Sequence, residues 1–341
     1  MAKTILSASK IKTLKSCSWL FWAKYKLMVP DTTNSGALIG SIAHCIFECL
    51  GKPRHQKHYD IIIKKSNCFA SKVVKRLILK HAKRDNVDSK EQIVLIKSMI
   101  LNGLKHDFHG QTLGEPIESI SEFEFDIHHK EEDDEFKLKG FIDKLFIYKN
   151  LALVRDYKSN KKAFAGKEAS ENIQDYLYTL AVKKLFPHVK EIKMEFVFIK
   201  DGVLDGSEEN LDGIAMIMAP KSHYEMVGFA SELTEIQRYA DSFNEKTALS
   251  NLAAKQPFPK DGSFSGPLLC GFAKFPGQIK KDGNPMWHCS MKFPIDFYSL
   301  YDEKGEIIKS SFEKSDLIKI KKDNQSIKNN HYGGCPCFNK K

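Results

Sequence analysis

Arginine is scarce in this chain. Only five of its 53 basic residues are arginine (Arg54, Arg76, Arg84, Arg155 and Arg238), against 43 acidic residues and a net charge of +10. The positive charge is therefore carried by lysine, a flexible point charge that suits tracking a phosphate backbone better than reading bases. A solvated lysine-rich surface accounts for the same composition equally well. No run approaches the ~20 apolar residues of a membrane span, which excludes a spanning helix. The N-terminus lacks the apolar h-region of a secretory signal. No internal repeat or extended low-complexity tract is present, so repeat arrays and biased linkers are set aside. Eight cysteines in 341 residues, without a signal peptide, argue against a disulfide scaffold and for thiols or metal ligands in a reducing compartment. The expectation is a cytoplasmic protein with no membrane partner.

Enough apolar residue is present (42%) for a sizeable core. "SASKIKTLKSCSWLFWAKYK" predicts a first helix, capped at Ser7 or Ser9, and "ALIGSIAHCIFECL" a second. Residues 59–108 read as helical. From "ESISEFEFDIHH" the period becomes two, with Phe123, Phe125 and Ile127 on one side and Glu122, Glu124 and Asp126 on the other. Two more strands follow, then a helix in "SENIQDYLYTLAVKKLF", a strand ending in a turn in "IKMEFVFIKDG", and a helix in "SELTEIQRYADSFNEKTAL". The texture changes at "QPFPKDGSFSGP". The pattern predicts a mixed α/β core over residues 1–255, with a helical insertion at 45–115 and a cysteine-containing extension over 256–341.

The stretch "GFIDKLFIYKNLALVRDYKSNKK" carries the chemistry. With Lys149-Asn150 as a two-residue hairpin loop, Leu145 faces Val154 and Asp143 faces Asp156, and both carboxylates share a face with Lys158. Facing carboxylates repel at about 4.5–5.5 Å between Cβ atoms unless a proton or cation bridges them. Mg²⁺ or Mn²⁺ would answer that repulsion, and a lysine at the same mouth would stabilise charge developing on a phosphate. Strand ends with incidental charges are the competing reading.

"GFID", then "DYK" thirteen residues later, then a helix with Gln174 and Tyr178, together with "CSWLFWAKY" and "GALIGSIAHCIFE", resemble the RecB-like, CRISPR-associated-exonuclease-like branch of the PD-(D/E)XK nuclease superfamily over residues 7–202. The resemblance implies a restriction-endonuclease-like core, a mixed central sheet flanked by helices. It implies that His44, Asp143, Asp156 and the main-chain carbonyl of Tyr157 hold the metal, that Lys158 serves catalysis, and that Gln174 and Tyr178 support the site and contact DNA. Positions i and i+4 do share one helical face. Glu48 is either an orienter of His44 or solvated. Glu122 and Glu124 lie where some nucleases place another carboxylate, although an alternating polar face explains them adequately. No catalytic position is damaged, which favours an active enzyme over an inactive nucleic-acid-binding or assembly protein.

Cys45, Cys49 and Cys68 read as small core side chains. The resemblance extends to nucleases in which one cysteine of the first helix and three near the C-terminus bind an iron–sulfur cluster. Here Cys17 is followed by Cys270, Cys289, Cys335 and Cys337, a departure from the usual tight triplet. A [4Fe-4S] cluster, Zn²⁺ with His288 and His331 in reserve, and free thiols all stay open. The function expected is a Mg²⁺- or Mn²⁺-dependent deoxyribonuclease, an exonuclease of DNA replication, recombination or repair with DNA and a helicase or recombination protein as partners. RNA is the weaker alternative as substrate.

Overall fold

Alternation becomes strand from Glu118 to Lys158. β1 (Glu118–Glu131) and β2 (Asp134–Ile147) pair antiparallel, and β3 (Leu151–Lys158) runs antiparallel to β2. Lys149 and Asn150 form the connection, closed by the Tyr148 amide donating to the Leu151 carbonyl at 2.8 Å. Leu145 lies opposite Val154, the register expected of that two-residue loop. β4 (Glu191–Phe198) lies parallel to β3, and β5 (Ala215–Ile217) antiparallel to β4, completing a five-stranded mixed sheet in the order β1-β2-β3-β4-β5. This computed structural model describes residues 4–31, 34–131, 133–160, 164, 171–200 and 215–339. The turn expected at residues 201–202 lies outside them.

The helices are α1 (Ala8–Ser16), α2 (Ser18–Phe21) running into a π turn at Trp22–Lys26, α3 (Ser35–Leu50), α4 (Gln56–Lys65), α5 (Lys72–Arg84), α6 (Lys90–Lys105), α7 (Ile173–Leu185), α8 (His223–Asp241), α9 (Glu245–Ala248) and α10 (Lys314–Ile318). A mixed sheet flanked by helices is the expected architecture. The chain divides into two compact units, Met1–Thr32 with Ile236–Lys341, and Thr33–Glu235.

Within Thr33–Glu235, α3 to α6 build one apolar layer. Ile46, Phe47, Ile78, Met99 and Ile100 pack with Tyr157 and Val197 of the sheet. The β3–α7–β4 crossover makes β3 the central strand, and all six of its interior residues are buried. Arg155 is therefore buried too. It donates to Glu195 Oε2 at 2.5 Å and to the carbonyl of Asp107 at 2.6 Å. Lys144, opposite Arg155, donates to Ser121 Oγ at 3.0 Å; burial first, then Arg155, lowers its ammonium to about 8. These cations belong to the sheet's construction and alternate with Asp143 and Asp156.

Met1–Thr32 and Ile236–Lys341 form the second unit, with its own sheet of β6 (Ile295–Tyr301), β7 (Ile307–Ser311) and β8 (Ser326–Tyr332) in the order β7-β6-β8. A small core of Ala23, Val29, Met291, Phe297 and Tyr332 supports it.

Three helical expectations change. The first helix breaks at Cys17, which is extended (φ −160°, ψ 112°), because Ser18 is drawn to the Ala248 and Asn251 carbonyls through Oγ, at 3.0 and 2.8 Å. The 59–108 stretch splits into α4, α5 and α6, with left-handed backbone at Ser66 and Asn86 at the breaks. The last core helix starts at His223 and stops at Asp241, and Asn244 caps the separate α9.

Candidate active site

Three strands, β1 to β3, and two helices, α3 and α7, supply the side chains. On β2, Asp143 Oδ2 accepts from the Tyr157 amide at 2.7 Å. Its Oδ1 faces His44 Nδ1 at 3.3 Å. His44 comes from the middle of α3, a helix begun by Asn34 accepting from the Ala37 amide. Tyr157 turns its ring toward Phe47 and His44, at centroid separations of 4.3 and 6.3 Å. Its contribution to Asp143 is therefore backbone.

On β3, Asp156 is 3% exposed. Its Oδ1 accepts from Gln174 Nε2 at 3.1 Å. Its Oδ2 meets the Lys158 ammonium at 2.7 Å as an ion pair and has no hydrogen-bond partner of good geometry. Lys158 Nζ also donates to Gln174 Oε1 at 2.5 Å. The two ends of the Gln174 amide thus bind an anion and a cation, which fixes the amide's orientation. The Asn172 side chain caps α7 by accepting from the Gln174 amide, and one turn on Tyr178 receives a bond from Gln174 Nε2 (3.1 Å) and donates to the Phe141 carbonyl (2.7 Å). Tyr178→Phe removes both of those contacts. A loss of about 1 kcal/mol in thermal or urea unfolding is expected, with slower turnover because Gln174 loses its anchor.

Of the two lesser carboxylate candidates, Glu122 and Glu124, the first joins this centre. Glu122 stands across from Asp143 in the β1–β2 register, and its backbone is turned into the left-handed region (φ 51°). A ligand atom of each of His44, Glu122 and Asp143 lies within 4.8 Å of the others. Alternation had placed Glu122 on a polar face. Nothing in the sequence signals a positive φ at a glutamate, a conformation costly for a residue with a Cβ. Glu124 stays outside, paired with Lys139 at 2.5 Å, and Glu48 pairs with Lys52 at 2.6 Å rather than orienting His44.

The electrostatics are those of too many carboxylates in too little water. Burial, then the Asp143 charge, pushes Glu122 up to about 7. Burial and Asp143 likewise raise Asp156 to about 6, against the pull of Lys158. Burial opposes charge on His44, but Asp143, Asp156 and Glu122 outweigh it and lift the imidazole to about 9. Protons stand where positive charge is wanted. The donor set, an imidazole with carboxylates and an incompletely satisfied buried oxygen at Asp156, fits a hard divalent cation.

A model of the PD-(D/E)XK nuclease superfamily matches residues 5–272. The chain belongs to the PD-(D/E)XK nuclease superfamily. No curated protein matches it. Superfamily membership makes it a nuclease of the metal-dependent kind acting on nucleic acid, with His44, Glu122 and Asp143 as a candidate acidic metal site. No helix among the described residues is long and apolar enough to cross a membrane.

The cysteines of this PD-(D/E)XK chain fall into two sets. Cys68 is buried among α3–α6 side chains, as expected of a small core residue, whereas Cys45 and Cys49 of α3 are only half-buried. In the unit of Met1–Thr32 and Ile236–Lys341, Cys17, Cys270, Cys289 and Cys335 line one apolar-walled cavity of about 30 Å³ with Trp19, Leu20 and Phe338 nearby. Burial and neighbouring thiols raise Cys270 to about 11 and Cys335 to about 12. Cys337 lies beside Cys335, outside the cavity lining. His288 Nδ1 lies 3.0 Å from the Cys289 carbonyl, and His331 pairs with Asp296 at 2.7 Å. Among the described residues no three cysteine sulfurs lie within 4.8 Å of one another, whereas a tetrahedral zinc with Zn–S of about 2.3 Å needs sulfurs about 3.8 Å apart.

Proposed function

We propose that this PD-(D/E)XK protein is a Mg²⁺- or Mn²⁺-dependent deoxyribonuclease, an exonuclease of the RecB-like kind. The observation that carries the reading is the meeting of His44, Glu122 and Asp143 within 4.8 Å of one another, beside an Asp156–Lys158 ion pair whose carboxyl feels the Asp143 charge. His44, Asp143 and Asp156, with Glu122 added and the Tyr157 carbonyl beside them, would hold the cation. Bound there, it supplies Lewis acidity toward the scissile phosphate and lowers the pKa of water. Lys158, locked between Asp156 and Gln174, presents its ammonium where charge develops on phosphorus. Gln174 and Tyr178 hold that lysine and carboxylate in register. The lysine-rich surface supports binding with little sequence preference and strong salt dependence.

The test is incubation of labelled linear and circular DNA with Mg²⁺ or Mn²⁺. Loss of linear DNA with circles spared supports an exonuclease. DNA retention without products at any divalent-metal concentration supports an inactive binding or assembly protein instead.

Metal entry should expel protons. His44, lifted to about 9, and Glu122, at about 7, must give theirs up to become ligands. Apparent metal affinity should therefore climb as pH rises from 6 toward 9, with release of about 1–2 protons at pH 7. Calorimetry in buffers of different ionisation enthalpy measures this number, and zero release would contradict it.

For the cysteines, a shared apolar-walled cavity in which no three sulfurs lie within 4.8 Å of one another counts against a preformed Zn²⁺ site and favours a [4Fe-4S] cluster held by Cys17, Cys270, Cys289 and Cys335. Anaerobically purified protein should be brown, absorb in the visible and lose its colour in Cys335→Ser. Colourless protein with one zinc by elemental analysis would reverse the choice.

A further inference from the structure

The loop 271–288 is tied down at its base and apolar at its surface. Its two ends meet where the Cys289 amide donates to the Cys270 carbonyl at 3.1 Å, and Lys292 Nζ binds the Gly271 carbonyl at 2.8 Å. Gly271 (φ 65°) permits this closure, since a Cβ there would lie 2.2 Å from the Trp287 carbonyl oxygen. Further along, Met286 donates to the Gln278 carbonyl, and Gly283 to that of Lys280, so the tip is a bonded turn.

From this frame Phe272 (69% exposed), Phe275 (58%) and Trp287 (48%) face solvent, and Phe264 (61%) stands 6.2 Å from the Trp287 ring. Such a concentration of exposed aromatic rings marks an interaction surface. Exposed lysines alternate with them: Lys260, Lys274, Lys280 and Lys281. The two acids of the stretch 256–288, Asp261 and Asp282, each accept a local turn amide, from Ser263 and Asn284. Flat π-faces interleaved with flexible cations suit a polyanion whose rings are unstacked.

We propose that this loop binds single-stranded DNA, with bases stacking on Phe264, Phe272, Phe275 and Trp287 and phosphates meeting Lys274, Lys280 and Lys281. The proposal rests on the nuclease reading above and gives it a strand preference. A duplex keeps its bases stacked on one another and offers these rings little, so the loop should favour single strands independently of sequence.

The test is fluorescence anisotropy of labelled oligo(dT) with the full chain in buffer free of divalent cations, where cleavage is absent. Phe272→Ser/Phe275→Ser should weaken binding by on the order of 10-fold per lost stacked base, while a duplex of equal length is bound as before. Lys280→Gln/Lys281→Gln should flatten the slope of log affinity against log salt by about 1.4, at about 0.7 per phosphate contact on a single strand. All four positions are exposed, so the variants should melt with the wild type. Failure of the wild type to bind oligo(dT), or unchanged binding in both variants, would overturn the proposal. So would wild-type self-association that the phenylalanine variants abolish, which would assign the surface to a second copy. DNA digestion by a wild type whose oligo(dT) binding ignores the aromatic variants defeats this inference and leaves the nuclease reading standing. Ring-dependent binding without cleavage in Mg²⁺ or Mn²⁺ does the reverse.

Discussion

Lys158→Met should lower DNA cleavage by about 10²–10³-fold while leaving folding intact and divalent-metal binding close to wild type once the pH is high enough to deprotonate Asp156. The ammonium touches Asp156 Oδ2 and Gln174 Oε1 and stands over the ring of Phe196, 5.1 Å from its centroid. Methionine keeps an unbranched apolar stem and deletes the ammonium with all three of these contacts. Asp156 then loses its cationic neighbour and holds its proton more firmly, so some of the rate should return at higher pH. Lys158→Arg is a poor rescue, because a planar fork cannot occupy the point position between a carboxylate and an amide oxygen. Single-turnover kinetics beside a metal titration separates the two effects. Full activity in Lys158→Met would remove this lysine from the chemistry.

Asp143→Asn should act one step earlier, at the metal. Asp143 bridges α3 and β3: one oxygen faces His44 and the other accepts from the Tyr157 amide. The asparagine keeps an oxygen for that amide but gives up the negative charge that holds the imidazole up. Divalent-metal affinity should fall at least about 100-fold, beyond the loss typical of an outer-shell partner. Cleavage should fall with it. His44 should then titrate well below its present value of about 9, which proton NMR of the imidazole reads directly. A variant that binds Mn²⁺ as the wild type does would place the metal elsewhere.

The hairpin was legible because its constraints coincide. A two-residue loop fixes register, side-chain period fixes face, and together they put Asp143 and Asp156 at the same end of adjacent strands. Gln174 and Tyr178 were legible for a comparable reason, since an i, i+4 pair on the crossover helix shares one face. Glu122 was legible only in part. The resemblance pointed to a carboxylate on that strand, but alternation put it on a polar face, and its side chain reaches the site through a backbone turned to φ 51°, for which periodicity has no term. The cysteines show another limit. Spacing in "LLCGF", "WHCSMKF" and "HYGGCPCFN" says little, because closure of the loop at Cys270–Cys289 brings distant positions to one cavity beside Cys17. The break in the first helix at Cys17 follows from Ser18 bonding to residues 248–251, a tertiary pull that local propensity cannot register.

Anomalous scattering from a crystal soaked in Mn²⁺ bears most directly on the central claim. A peak about 2.0–2.2 Å from carboxylate oxygens of both Asp143 and Asp156, with His44 in the same coordination sphere, is the predicted result. Full occupancy of Mn²⁺ elsewhere, with those two side chains turned to opposite faces of the sheet, would contradict it.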